Sequence, residues 1–243
     1  IEIGIALSTE KNHQVLLEKI LLSAMELSNA DGGTIYSIND KQELVFDTLI
    51  NKSLDIHWGG TTNKAIDIPA IPLYEFKQPN ESALVSIAAT TGKVINIADA
   101  YHVEEYDVTA AKEMDKKTGY RTQSVLTLPM NNHENELTGV VQLINATDAD
   151  NLVIPFDAKV ERAVHALSSL AAVIITNKQL IDQMEALFGS FSRLIAYAID
   201  KKSPYTGGHC RRVPEITMLL ARACHEIAHG PLAEFSLTEA DFH

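Results

Sequence analysis

Basic residues are the scarce charge in this chain: 20 lysines and arginines stand against 32 aspartates and glutamates, for a formal net charge of -12. Composition therefore argues against the electropositive face that holds a phosphate backbone, and nucleic acid is not an expected partner. Cysteine is nearly absent. Cys210 and Cys224 are too few for a disulfide framework, and no charged and then apolar leader opens the sequence. The expected compartment is the cytoplasm, with thiols reduced. Long apolar runs are missing too: "AVHALSSLAAVIITN", 163–177, contains serines and ends in polar residues, short of the ~18–20 residues that span a bilayer. No membrane partner is expected of these residues. A P-loop, a nucleophile elbow, internal repeats and low-complexity segments are all lacking. What is abundant is apolar side chain, 46% of 243 residues, enough to build one large domain or one domain with an appendage. The first residue is Ile1, as expected of a piece of a longer protein.

Apolar periodicity orders the chain. Leu17, Ile20, Leu21, Ala24, Met25 and Ser28 fall at helical spacing within 9–29, before the turn Asp31-Gly32-Gly33. "GGTIYSIND" and "ELVFDTLINKSL" read as a hairpin around Asn39-Asp40-Lys41. Pro69, Pro72 and Pro79 break up the next stretch; a short helix over 81–90 and a strand in "KVINIADA" follow. The segment 102–119 reads as helical in its second half, ending at Gly119. "RTQSVLTLPMNN" and "ELTGVVQLINAT" are two further strands about the turn "NHEN". This order predicts an α+β fold, a central antiparallel sheet flanked by helices.

From Phe156 the period is helical for about 40 residues. Val160, Val164, Leu167, Ala171 and Ile174 form one stripe, and Leu180, Met184, Leu187, Phe191, Leu194 and Ala198 another, one residue out of phase near Asn177. Two readings follow. Either the first stripe packs on the sheet while the second makes a parallel coiled coil with a partner chain, or two helices separated by a break at "TNKQ" each bury their own stripe.

One motif suggests zinc: "HEIAH", 225–229, matches the pattern that sets two histidines beside a general-base glutamate. Its helix carries an apolar stripe through Ile216, Leu220, Ala223 and Ile227, which puts both histidines on the polar side, and Gly230-Pro231 ends the helix at once. The motif is accordingly not read as a metal site. His13, His57, His102, His133 and His165 show no ligand spacing. Upstream of residue 200 the pattern favours binding over turnover.

The stretch "TTGKVINIADAYHVEEYDVTAAKEMDKKTGYRTQSVLTLPMNNHENELTGVVQLINA" resembles GAF domains of the kind found in cyclic-nucleotide phosphodiesterases and cyclases, covering 8–176 with its flanking helices. The resemblance implies a small-molecule pocket on one sheet face and dimer-forming helices on the other. Carried onto this sequence, the pocket is lined by Asp115, Thr118 and Thr122 of "DKKTGYRT", by Gln142, and by backbone around Leu84 and Val85. Hydroxyls and carboxylates at the rim of an apolar cleft are what orient a purine or similar polar ligand. Of the family's N-K…F-x-x-x-D-E signature, Asn145, Phe156 and Glu161 are present; Ala146 and Val160 replace its lysine and first acid. Losing both members of that pair leaves no charge stranded. A cyclic nucleotide, another ligand, or a ligand-free dimerising relay are the expectations for this domain.

"AYAIDKKSPYTGGHCRRVPEITMLLARA" resembles the start of HD-GYP domains, bacterial metal-dependent phosphodiesterases of cyclic di-GMP. In their Y-T-x-x-H-x-x-R-V pattern the histidine is a metal ligand, here His209, with Tyr205, Thr206, Arg212 and Val213 around it. The implied cofactor is a divalent metal, iron or similar. The His-Asp pair and the other ligands of that family are not found in these 243 residues, so the chain as given is expected to be inert. The organisation expected is a GAF sensor at 8–176, a signalling helix at 177–200 and the start of an HD-GYP domain at 201–243, the whole acting as a homodimeric signal-transduction regulator.

Overall fold

Asn12 opens the first helix, α1 (His13–Ser28), its side-chain oxygen accepting the Gln14 and Val15 backbone N–H groups at 2.9 and 3.4 Å. The computed structural model describes residues 12–62, 64–132, 134–202, 209–227, 229–230 and 236–237. They divide into two units, one ending at Gln179 and the other beginning at Leu180.

In the first unit α1 is followed by β1 (Ala30–Ile38) and β2 (Glu43–Asn51), joined where expected: the Asn39 side chain accepts from the Lys41 and Glu43 backbone. β3 (Ile56–Gly59) pairs with β2; β4 (Ile71–Pro72), β5 (Tyr74–Glu75) and β6 (Gln78–Pro79) are two-residue bridges in the proline-rich stretch. Then come α2 (Leu84–Thr91), β7 (Ile95–Ile97), α3 (Thr109–Thr118), β8 (Val125–Asn131), β9 (Leu137–Thr147), β10 (Val153–Ile154) and α4 (Ala158–Lys202). The main sheet runs β3-β2-β1-β9-β8-β7, antiparallel throughout. This is the α+β architecture expected, with helices on both faces.

Strand alternation assigns those faces. Val141 and Leu143 of β9 join Ile35, Leu126 and Leu128 beneath α1 and the first half of α4, where Leu21, Met25, Val164 and Ala171 are wholly buried. Val140 and Ile144 look the other way, toward α2, which places Leu84 in one apolar cluster and Val85 in another. Gly139 fixes the approach of β9 to β1, because a Cβ there would run into the Tyr36 carbonyl oxygen.

α4 is continuous, which overturns the break at "TNKQ". Val164, Leu167, Ala171, Ala172 and Ile175 are covered by the sheet, so the phase offset near Asn177 is a change of helix face and the backbone has no reason to interrupt. By length and composition α4 is the one described helix able to cross a membrane; a third of its apolar window is buried inside the protein.

The second unit holds the distal part of α4 and, among the described residues, one further helix, α5 (His209–His225). On distal α4, Leu180/Leu187/Leu194, Ile181/Phe188/Ile195 and Met184/Phe191/Ala198 form three columns at seven-residue spacing, their large members 44–73% exposed. Residues 203–208 of "SPYTGGHCRRVPE" lie outside the described residues, as does the His209 side chain, whose backbone begins α5.

Leu21 sits at the centre of the larger core with no exposure. Leu21→Ala is expected to lower unfolding free energy by about 2–5 kcal/mol, read from denaturant unfolding, whereas Leu187→Ala on exposed α4 leaves the stability of the first unit unchanged.

Candidate functional site

On the α2 face, Thr34, Gln142 and Thr127 stand side by side across β1, β9 and β8, a polar row in an otherwise apolar surface. Gln142 is half-buried and its amide nitrogen donates to the Thr127 hydroxyl at 3.1 Å. Thr127 is wholly buried, and Thr34 bonds the buried Tyr36 hydroxyl. Burial, opposed in part by that bond, holds the Tyr36 phenol well above the usual tyrosine range.

Between β7 and β8 the chain makes an excursion that contains α3. Its ends meet: the Ala100 backbone N–H donates to the Gln123 carbonyl at 2.8 Å. Gly119, at φ 71°, ends α3 with its N–H on the Asp115 carbonyl, a left-handed turn that suits glycine. Asp115, buried in the last turn, accepts three hydrogen bonds, from the Thr122 backbone at 2.7 Å, the Thr122 hydroxyl at 2.8 Å and the Tyr101 hydroxyl at 2.8 Å. The bond to Asp115, with desolvation and the carboxylate's charge behind it, raises the Tyr101 phenol above its ordinary value. Arg121 and Lys112 lie over the Tyr101 ring at 4.7 and 5.3 Å. Asp99 completes this group: it accepts the Tyr101 backbone N–H and faces His102 at 2.9 Å, and these contacts, the backbone bond foremost, lower its carboxyl.

A clamp fastens the end of the excursion to the sheet. The Tyr120 hydroxyl donates to Asp31 at 2.6 Å and receives the Asn145 amide at 2.8 Å; Asn145 also bonds the Arg121 carbonyl and accepts the Gln123 N–H, both at 2.7 Å. Burial first, then Asp31, pushes the Tyr120 phenol well above the tyrosine range. Asn145 is buried with φ 53°, a conformation asparagine tolerates better than most residues. On the other side of the sheet Asn96, beside β7's Ile95, donates to the Phe156 carbonyl at 3.1 Å and to Glu161 of α4 at 2.8 Å. The three signature residues present, Asn145, Phe156 and Glu161, thus each have a structural contact, while Ala146 is buried and Val160 packs against the core.

Of the six residues read as pocket lining, Asp115 and Thr122 are bonded to each other, Gln142 belongs to the polar row, and Leu84 and Val85 are buried in α2. Thr118 is exposed, with its hydroxyl on the Met114 carbonyl of its own helix. Sequence reasoning missed Tyr101, Thr34 and Thr127. Thr127 left one local signal, a hydroxyl on the inward face of the apolar run "SVLTLPM".

Among the described residues no group of three or more histidines, cysteines, aspartates or glutamates is placed to hold a metal ion. "HEIAH" is not a two-histidine helical site: α5 ends at His225, which accepts the Leu237 N–H at 3.1 Å, and His229 lies beyond the helix.

Asp115→Asn removes the charge beside Tyr101 while keeping an acceptor. Phenolate next to a carboxylate is disfavoured, so the Tyr101 titration is expected to move down toward the ordinary tyrosine value in the variant. An NMR pH titration, with Tyr101→Phe for assignment, reads it; an unchanged Tyr101 titration contradicts the contact. Asp115→Ala removes the acceptor from two half-buried side chains, Tyr101 and Thr122, and is expected to cost about 1 kcal/mol in denaturant unfolding.

Comparison with known proteins agrees with this geometry. The GAF domain family matches residues 12–175. The chain is 32% identical over 133 residues to the dual 3',5'-cyclic-AMP and -GMP phosphodiesterase 11A of Takifugu rubripes, a match covering 55% of this chain and 13% of that much longer relative. Among solved structures, the GAF domain of a phosphoenolpyruvate-protein phosphotransferase from Coxiella burnetii superposes with a TM-score of 0.56 at 16% identity. The corresponding domain from Acinetobacter gives 0.54 at 12%. Each covers 75% of this chain and 93% of the other, and each shows a likeness of fold. With its sheet order, its two-sided helical packing and a family match over most of its length, the chain belongs to the GAF domain family.

Proposed function

We propose that residues 12–175 are the sensory domain of a cytoplasmic signal-transduction regulator, binding a small polar ligand between the Thr34–Gln142–Thr127 row and the excursion that holds Asp115 and Thr122. The observation that carries the signalling half of this reading is α4: one helix whose first part is in the domain core and which runs on without interruption to Lys202. Asn96 supports the link, since it ties the strand next to Thr127 to the first turns of that helix. A ligand shifts such a relay only by binding its two states unequally. A cyclic nucleotide is the first candidate, in line with the activity named for the phosphodiesterase relative.

The output we propose is an HD-GYP cyclic di-GMP phosphodiesterase whose domain starts at about residue 201. Its support is the Y-T-x-x-H-x-x-R-V pattern at 205–213, with a helix beginning at His209. There His209 would supply one ligand to a divalent metal, iron or similar. The active assembly would be a homodimer joined through the long helices.

A second reading has an observation of its own. Both Asp115 oxygens are engaged by internal donors, as expected of a domain that relays dimer geometry without a ligand.

Native mass spectrometry of the purified chain, with thermal shifts on adding cyclic AMP, cyclic GMP or cyclic di-GMP, separates the two. The sensory reading predicts a bound molecule or a stabilising shift, with affinity reduced about tenfold or more in Gln142→Leu, since one good polar contact is worth roughly that factor. No bound molecule and no shift favours the ligand-free relay. For the output, a chain carrying the whole of the proposed HD-GYP domain is expected to hydrolyse cyclic di-GMP with bound metal, and His209→Ala to lose both metal and activity; full metal content in that variant would remove His209 from the site.

A further inference from the structure

The second unit carries more exposed apolar surface than a two-stranded coiled coil uses. A coiled-coil seam fills two of seven helical columns, whereas a helix in a bundle fills about three. Distal α4 fills three, the leucine column at 180, 187 and 194 flanking the Ile181 and Met184 columns. The opposite side is polar or small along most of its length, with Asp182, Gln183, Gly189, Ser190 and Arg193, and carries one large side chain, Tyr197, 62% exposed with Lys201 over its ring. α5 repeats the situation on a shorter scale: Val213, Ile216 and Leu220, at spacings of three and four, are 44%, 54% and 62% exposed.

We infer that a second copy of this chain covers both faces, and that the assembly is a four-helix bundle of distal α4 and α5 from each copy. This rests on the homodimer proposed above and deepens it. A second copy is favoured as occupant on two grounds. Two-fold symmetry sets each apolar face against a matching one, so that the Ile181, Phe188 and Ile195 column meets its own copy while the leucine column is left for an α5. The area also suffices: the eight large side chains of the three columns, each roughly half to three-quarters exposed, present on the order of 800–1,000 Å², against about 800 Å² per partner in a standard stable interface.

Light scattering coupled to gel filtration, on the whole chain and on Phe188→Glu and Leu220→Glu, tests this. The expected result is a dimer that both substitutions weaken by about tenfold or more, with Phe188→Leu restoring it. If Phe188→Glu gives monomer while Leu220→Glu remains fully dimeric, the bundle is wrong and a two-stranded seam, with the dimer reading, survives. A wild-type chain that is monomeric at 100 µM, or a dimer indifferent to both substitutions, overturns the bundle and the helix-mediated dimer together. Should either glutamate variant lose helix by circular dichroism, Phe188→Ala and Leu220→Ala are read by the same criteria.

Discussion

The register of β9 between β1 and β8 is the constraint on which the rest depends. Side chains alternate along a strand, so a slip of one residue would carry Val141 and Leu143 out of the larger core and drive Gln142 into it. Two features oppose such a slip. Gly139 passes under the Tyr36 carbonyl where no other residue fits, and Asn145, in its left-handed conformation, ties the far end of β9 to the segment after Tyr120. With the register held, one face is apolar enough to receive two helices, and the other presents a short line of hydroxyl and amide groups.

Much of this was legible in the residues because it is local. The helical spacing of Leu17 to Met25, the hairpin at Asn39, the stop at Gly119 and the paired strands about 132–135 each depend on neighbours a few positions away, and each is in place. The short strands β4 to β6 were invisible, since a two-residue bridge has no period. The continuity of α4 was hidden for the opposite reason. Periodicity reports which face is apolar, and it cannot distinguish a broken helix from one helix using two faces. In the site, Asp115 and Thr122 were reached by motif resemblance, but their direct bond and the role of Tyr101 depend on how the excursion folds back. The Tyr120–Asp31 contact spans 89 positions and leaves no local trace.

The polar groups at the candidate site are largely paired with one another. Gln142 has Thr127, Thr34 has Tyr36, and Asp115 has Thr122 and Tyr101. A ligand entering here would exchange internal hydrogen bonds for its own, so those bonds would contribute selectivity and buried apolar contact with α2 most of the net affinity. Breaking the Asp115–Thr122 pair would also loosen the excursion that carries it. Occupancy and local order would therefore be linked at that carboxylate.

The meeting of Ala100 and Gln123 has a further meaning for how such a domain changes over evolutionary time. Because the excursion leaves and rejoins the sheet at one place, a change in its length would cost little loop-closure entropy and would leave the ends of β7 and β8 where they are. The sheet and the excursion would then answer to different constraints, the first to its own register and the second to the few contacts at Asp31 and Asn145 that fasten it there.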